Sequence, residues 1–256
     1  YAVAVESKRI AFFDVDNTML RGSTLFLLVR GLYHRGFFRP RELAKWAIAQ
    51  TRFRLSGKER LTELDRIRER ALGFIKGHRV DELRAIAEEI YDERIREALW
   101  DGTLKLVSEH LQAGDEVWLV TATPVEVAEV MVEHLGLTGA IGTTAEKSEG
   151  YYTGRLVGDL LHGPAKAIAV RKLVEERGAK LSNCVAYSDS SNDLPMLYLV
   201  GEPHVINPDS KLKSVAKKSQ WPVHDFRHGR KVIRVLTPLL TIAGIFFASR
   251  KKKDQL

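Results

Sequence analysis

The run IAFFDVDNT at positions 10–18 constrains this chain more than any other feature. Four apolar residues in succession, bounded by polar ones, read as a short strand buried on both faces. Such a strand can end in two carboxylates, Asp14 and Asp16, only if its C-terminal end opens onto a polar site. Strands buried on both faces belong to parallel sheets covered by helices. In open sheets of that kind ligands bind beyond the carboxyl ends of the strands.

The remainder of the chain supplies the matching units. Helical patterns are expected over 104–112, 125–135, 166–177 and 193–200, with strands over 116–121, 141–145, 184–187 and 204–206. Residues 151–157 read as part of a hairpin, and Gly136 as the cap closing the second helix. The expected fold class is therefore α/β: a Rossmann-like parallel sheet core with helices on both faces. Between the first strand and residue 100 the pattern is helical throughout, in runs over 25–33, 42–53, 58–75 and 80–99. This predicts an inserted all-helical cap over 21–99, a core formed by 8–20 and 100–225, and a basic, apolar C-terminal tail over 226–256. Asp101 and Asp115, each beside a glycine, read as turn residues.

Three strands end in polar groups at one sheet edge: Asp14 with Asp16, then Thr121, then Asp189 with Asn192 and Asp193. Lys166 opens an intervening helix. Crowded carboxylates call for a cation, and a hard ion such as Mg²⁺ takes carboxylate oxygens together with water and phosphate. With the metal present Asp14 can stay ionised and attack phosphorus in line. Asp16, two residues on, can protonate the leaving alkoxide and later deprotonate water. Lys166 and the Thr121 hydroxyl suit the phosphoryl oxygens.

These residues stand in motifs that resemble the haloacid dehalogenase-like hydrolases. DVDNT at 14–18 matches the DxDxT motif of their phosphatases, and VWLVT at 117–121 resembles their hydrophobic strand ending in Ser or Thr. Lys166 in HGPAK resembles the third motif, and SDSSNDLPM at 188–196 the fourth. The likeness spans residues 8 to about 225. It is nearest to the phosphoserine-phosphatase-like subfamily with a helical cap, including actinobacterial proteins assigned as phosphoserine phosphatases. The resemblance implies Asp14 as nucleophile and Asp16 as acid/base. It implies Asp14, the Asp16 carbonyl and Asp189 as Mg²⁺ ligands with Asp193 in support, and Thr121, Lys166 and Asn192 as phosphate contacts. Ser23 stands nine residues after Asp14, where the resembled enzymes carry a Glu for the substrate ammonium.

The net charge of +7 is uneven: residues 21–60 contribute ten Lys/Arg against two Asp/Glu, and 211–256 twelve against two. The cations at 21, 30, 35, 39 and 41 predict a basic cap that favours an anionic leaving group. The apolar stretch 235–248 is shorter than the ~20 residues of a membrane span. Its basic flanks suit an anionic membrane surface. The expected partner is a small phosphorylated substrate, or, as an alternative, a phospholipid or lysophospholipid monoester met at that surface. No nucleic acid is expected, because the cationic stretches carry no aromatic stacking platform. A non-catalytic binding protein is disfavoured by the presence of both Asp14 and Lys166. One cysteine, Cys184, reads as a core residue in a reducing compartment. With no apolar leader ahead of the first strand, the expected location is cytoplasmic, or peripheral at the inner face of the membrane.

Overall fold

The computed structural model describes residues 8–35 and 75–227. The first strand, β1 (Ile10–Asp14), is buried along its whole length. It lies between β2 (Glu116–Pro124) and β6 (Val185–Ser188), parallel to both. With β3 (Gly139–Thr143), β7 (Glu202–Ile206) and β8 (Val223–His224) the sheet order is β3-β2-β1-β6-β7-β8, and every neighbouring pair is parallel.

The two-residue period of β1 divides the core. Ala11 and Phe13 pack with Val117, Leu119, Val185 and Tyr187, whereas Ile10 and Phe12 pack with Trp118, Val120, Cys184 and Ala186. Phe12 and Phe13 are both fully buried, each stabilising the fold by about 1.5–3 kcal/mol. Cys184 is core, as expected; burial pushes its thiol up to about 11.

Between the strands run α3 (Asp101–Gln112), α4 (Val125–Leu135), α5 (Pro164–Glu176) and the short α6 (Leu194–Leu197). Gly136 closes α4 in the left-handed conformation, as its position predicted. The hairpin is formed by β4 (Ala145–Ser148) and β5 (Tyr151–Leu156), so the strand expected over 141–145 divides into β3 and β4. Asp101 corrects the turn expectation: it begins α3, where a carboxylate favours the helix N-terminus. Asp115 does follow a turn at Gly114, yet its carboxylate also holds the ring of His110 at 2.6 Å. Two elements were not anticipated, β8 and α7 (Ser210–Ser219).

Between β1 and α3 the described residues are mostly helical, in an outgoing and a return limb. The outgoing limb is α1 (Thr24–His34). The return limb is α2 (Val80–Ile90), continued by a π-helical stretch Tyr91–Ile95 and a last turn Arg96–Ala98. The limbs approach closely at Gly31, where a Cβ would come within 2.4 Å of Ile90. The helix expected over 42–53 lies outside the described residues, as does that over 58–75 apart from Ile75, which is buried.

At the base of these limbs the two connecting chains pair antiparallel at Leu20 and Leu99. Arg21 fastens this junction. Its N–H donates to the Ala98 carbonyl at 2.9 Å, its side chain reaches the carbonyls of Ala98 and Glu97, and its guanidinium lies over the Trp100 ring. Two of the three guanidinium nitrogens of Arg21 are thus engaged with backbone carbonyls. Arg35 is likewise engaged, with Glu89 and Glu93. Arg39, Arg41 and the tail from residue 228 lie outside the described residues. Among the described residues no helix is long and apolar enough to cross a membrane.

Candidate active site

Parallel register places the ends of β1, β2 and β6 side by side, and the expected polar groups meet there. A cleft of about 200 Å³ is lined by Asp14, Asp16, Thr121, Lys166, Asp189 and Asp193. Asn17, Ala122, His162 and Ser190 complete it.

Lys166 organises the centre. Although it opens α5, its side chain is buried, and its Nζ donates to Asp14 Oδ1 at 2.5 Å and Asp193 Oδ2 at 2.8 Å. Ser188 Oγ donates to the same Asp193 oxygen at 2.8 Å. The other oxygen of Asp14, Oδ2, accepts from Thr18 Oγ1 at 3.0 Å. Thr121 is buried where the β2–β3 register shifts, and its Oγ1 accepts the Thr123 N–H at 3.1 Å. Asn192 is exposed and is not among the residues lining the cleft.

The charges do not balance: four carboxylates share the cleft with one ammonium. Burial pushes Asp14 up to about 6 despite Lys166, with Asp193 adding to the rise. Asp189 is pushed to about 7, by burial first and then by Asp14 and Asp193. Burial works against the charge of Lys166, but Asp14 and Asp193 overcome it and hold the ammonium protonated. Such a surplus of negative charge suits a divalent cation. Among the described residues no three acidic or histidine side chains converge to hold a metal unaided. Mg²⁺ does not need that, since one or two carboxylates, water and substrate phosphate suffice. The donor set therefore fits Mg²⁺.

Sequence reasoning passed over Thr18, Ser188 and His162, although all three stand inside the quoted motifs. It also missed Thr24, for which the sequence carries no signal beyond a hydroxyl at a helix start.

An open parallel sheet with an acidic, lysine-centred cleft at its carboxyl edge defines an α/β enzyme of phosphoryl chemistry. The sequence profile of the haloacid dehalogenase-like hydrolases matches residues 11–198. Over 234 residues the chain is 50% identical to the phosphoserine phosphatase SerB1 of Mycobacterium tuberculosis, covering 91% of this chain and 76% of that one. It is 30% identical over 224 residues to a histidinol-phosphatase of Neisseria meningitidis, covering 86% and 100%. Among solved structures, a protein of unknown function from Bordetella pertussis superimposes with a TM-score of 0.77 at 30% identity, covering 86% and 99%. The chain belongs to the haloacid dehalogenase-like hydrolases. Within them it is an enzyme of the phosphatase kind.

Proposed function

We propose that the chain is a Mg²⁺-dependent phosphomonoester hydrolase that works through an aspartyl-phosphate on Asp14. The observation carrying this reading is the buried Asp14 carboxylate, fixed between Lys166 and Thr18 at the floor of an acidic cleft. Both of its oxygens are oriented before substrate arrives, as an in-line nucleophile requires.

In the first step an Asp14 oxygen bonds to phosphorus while the phosphorus–ester oxygen bond breaks. The departing oxygen takes the proton of Asp16 and leaves as an alcohol. In the second step Asp16 takes a proton from water, whose oxygen bonds to phosphorus and releases Asp14 and inorganic phosphate. Lys166 and the Thr121 hydroxyl stabilise the equatorial oxygens in both transition states. Asp14, the Asp16 backbone carbonyl and Asp189 would hold Mg²⁺, which when bound offsets charge on the phosphoryl group. Asp193 would support the metal site from nearby, and with Ser188 it anchors the Lys166 ammonium. No comparable geometry carries a phosphate contact for Asn192.

The insert, with α1 and α2 as its limbs, acts as a lid over the cleft. A small phosphorylated metabolite is the substrate class, and the 50% identical relative named a phosphoserine phosphatase supports an amino-acid phosphate. Ser23 in place of an acidic residue argues against a paired substrate ammonium. A lipid-borne monoester has no observation in its favour among the described residues. Turnover of amino-acid, sugar, glycerol and lipid phosphates with Mg²⁺ tests the proposal. Amino-acid and other small phosphates should lead, and Asp14→Asn should abolish all turnover. Retained activity in that variant would overturn the mechanism.

A further inference from the structure

Asp16 is held by the insert. Its Oδ1 accepts two hydrogen bonds from one residue, the backbone N–H of Thr24 at 2.8 Å and Thr24 Oγ1 at 2.7 Å. Thr24 is the first residue of α1 and is buried. The loop that returns it over Asp16 is itself built: Asn17 N–H donates to the Gly22 carbonyl and Gly22 N–H to Asn17 Oδ1, each at 3.1 Å. Gly22 sits at φ +94, which L side chains rarely adopt. From the core, Asn207 Nδ2 donates to the Asn17 carbonyl at 3.3 Å and Thr103 Oγ1 to that of Thr18 at 2.8 Å.

We infer that Thr24 is a positioning residue for proton transfer, fixing Asp16 through Oδ1 so that Oδ2 carries the catalytic proton. The inference rests on the reading of Asp16 as acid/base. An ionised carboxylate only accepts hydrogen bonds, and with Oδ1 doubly engaged the proton belongs on Oδ2. As Asp16 gives that proton to the departing ester oxygen, negative charge grows on a group at which two donors already point. Those bonds strengthen towards the transition state, which is the condition for lowering a barrier. Because the donors belong to the first turn of α1, the acid is aligned only while that helix is seated.

The test compares kcat/KM for a good leaving group, p-nitrophenyl phosphate, with that for a poor one, glycerol phosphate. The variants are Thr24→Val, Thr24→Ser and Asp16→Asn, with Thr24→Ala replacing the valine should that protein not fold. Loss of one charge-assisted hydrogen bond predicts that Thr24→Val costs about tenfold more on glycerol phosphate than on the aryl ester. Thr24→Ser, which keeps the hydroxyl, should stay within about threefold of the parent on both. Asp16→Asn should show the same bias, enlarged. Equal losses on both esters in Thr24→Val, or a serine variant as impaired as the valine, would overturn the inference while leaving the role of Asp16 intact. An unbiased Asp16→Asn would remove the reading of Asp16, and this inference with it.

Discussion

Two groups of buried and half-buried polar side chains lie beside β1, and they are built on opposite terms. Behind Phe13, His110 bridges Asp115 at 2.6 Å and the Tyr187 hydroxyl at 2.9 Å, and Tyr187 stacks on Phe13. His204 and His224 complete this group with a hydrogen bond of 3.1 Å between their rings. At the end of β1, four carboxylates crowd one lysine, and two of them are pushed to about 6 and about 7. The first group satisfies its members and contributes to stability. The second carries uncompensated charge of one sign, which costs stability and creates an appetite for a cation and a phosphoryl group. Burial alone marks neither as functional; the surplus of charge does.

Exchanging a central member of each group should separate the two sharply. Lys166→Met should lower kcat by about 10²–10³-fold, measured with saturating substrate. His110→Phe should leave kcat within a few-fold while costing about 2 kcal/mol of unfolding free energy, read by denaturant titration. A His110 variant as inactive as the Lys166 variant would erase the distinction.

Removing a carboxylate sharpens it next. Asp189→Asn should stabilise the metal-free protein by about 1 kcal/mol, since like charges no longer crowd the cleft. The same change should weaken Mg²⁺ binding, measured by calorimetry. Destabilisation without metal would show that Asp189 is not under strain.

The smallest effect is a matter of pH. Asp14 and Asp189 bind protons more tightly folded than unfolded, so their contribution to stability is full below the ordinary carboxylate value of about 4. It is lost as the pH rises through about 6 to 7. His204, pushed down to about 4 by burial and then by His224, has the reverse sign. Its contribution is full above the ordinary imidazole value of about 6.5 and is lost as the pH falls. Metal-free melting curves should therefore show His204→Gln flattening the acid limb and Asp189→Asn the alkaline limb. Mg²⁺ should raise Tm more at alkaline than at acid pH, where protons compete for its ligands. An equal rise at both would contradict the titration of the cleft.

The strand over 10–14 was legible because its apolar run and its terminal carboxylates are adjacent in sequence. Thr121, Lys166 and Asp189 were legible because each stands at the edge of a recognisable element. Partnerships were harder to read. Lys166 and Asp14 lie 152 positions apart, and Asp193 shares that lysine. The contacts of Arg21 were hidden because nothing local reveals that its carbonyl partners return 76 and 77 residues later. The helix α7 buries only Leu212 and Ala216 among its lysines, too thin an apolar face to register, although Asp209 caps it.

Trapping the phosphoenzyme tests the central claim about Asp14 most directly. Acid quench during turnover, borohydride reduction and peptide mass spectrometry should find homoserine at position 14, the reduction product of an aspartyl-phosphate. Turnover that leaves Asp14 unmodified, with an adduct on another side chain, would contradict it.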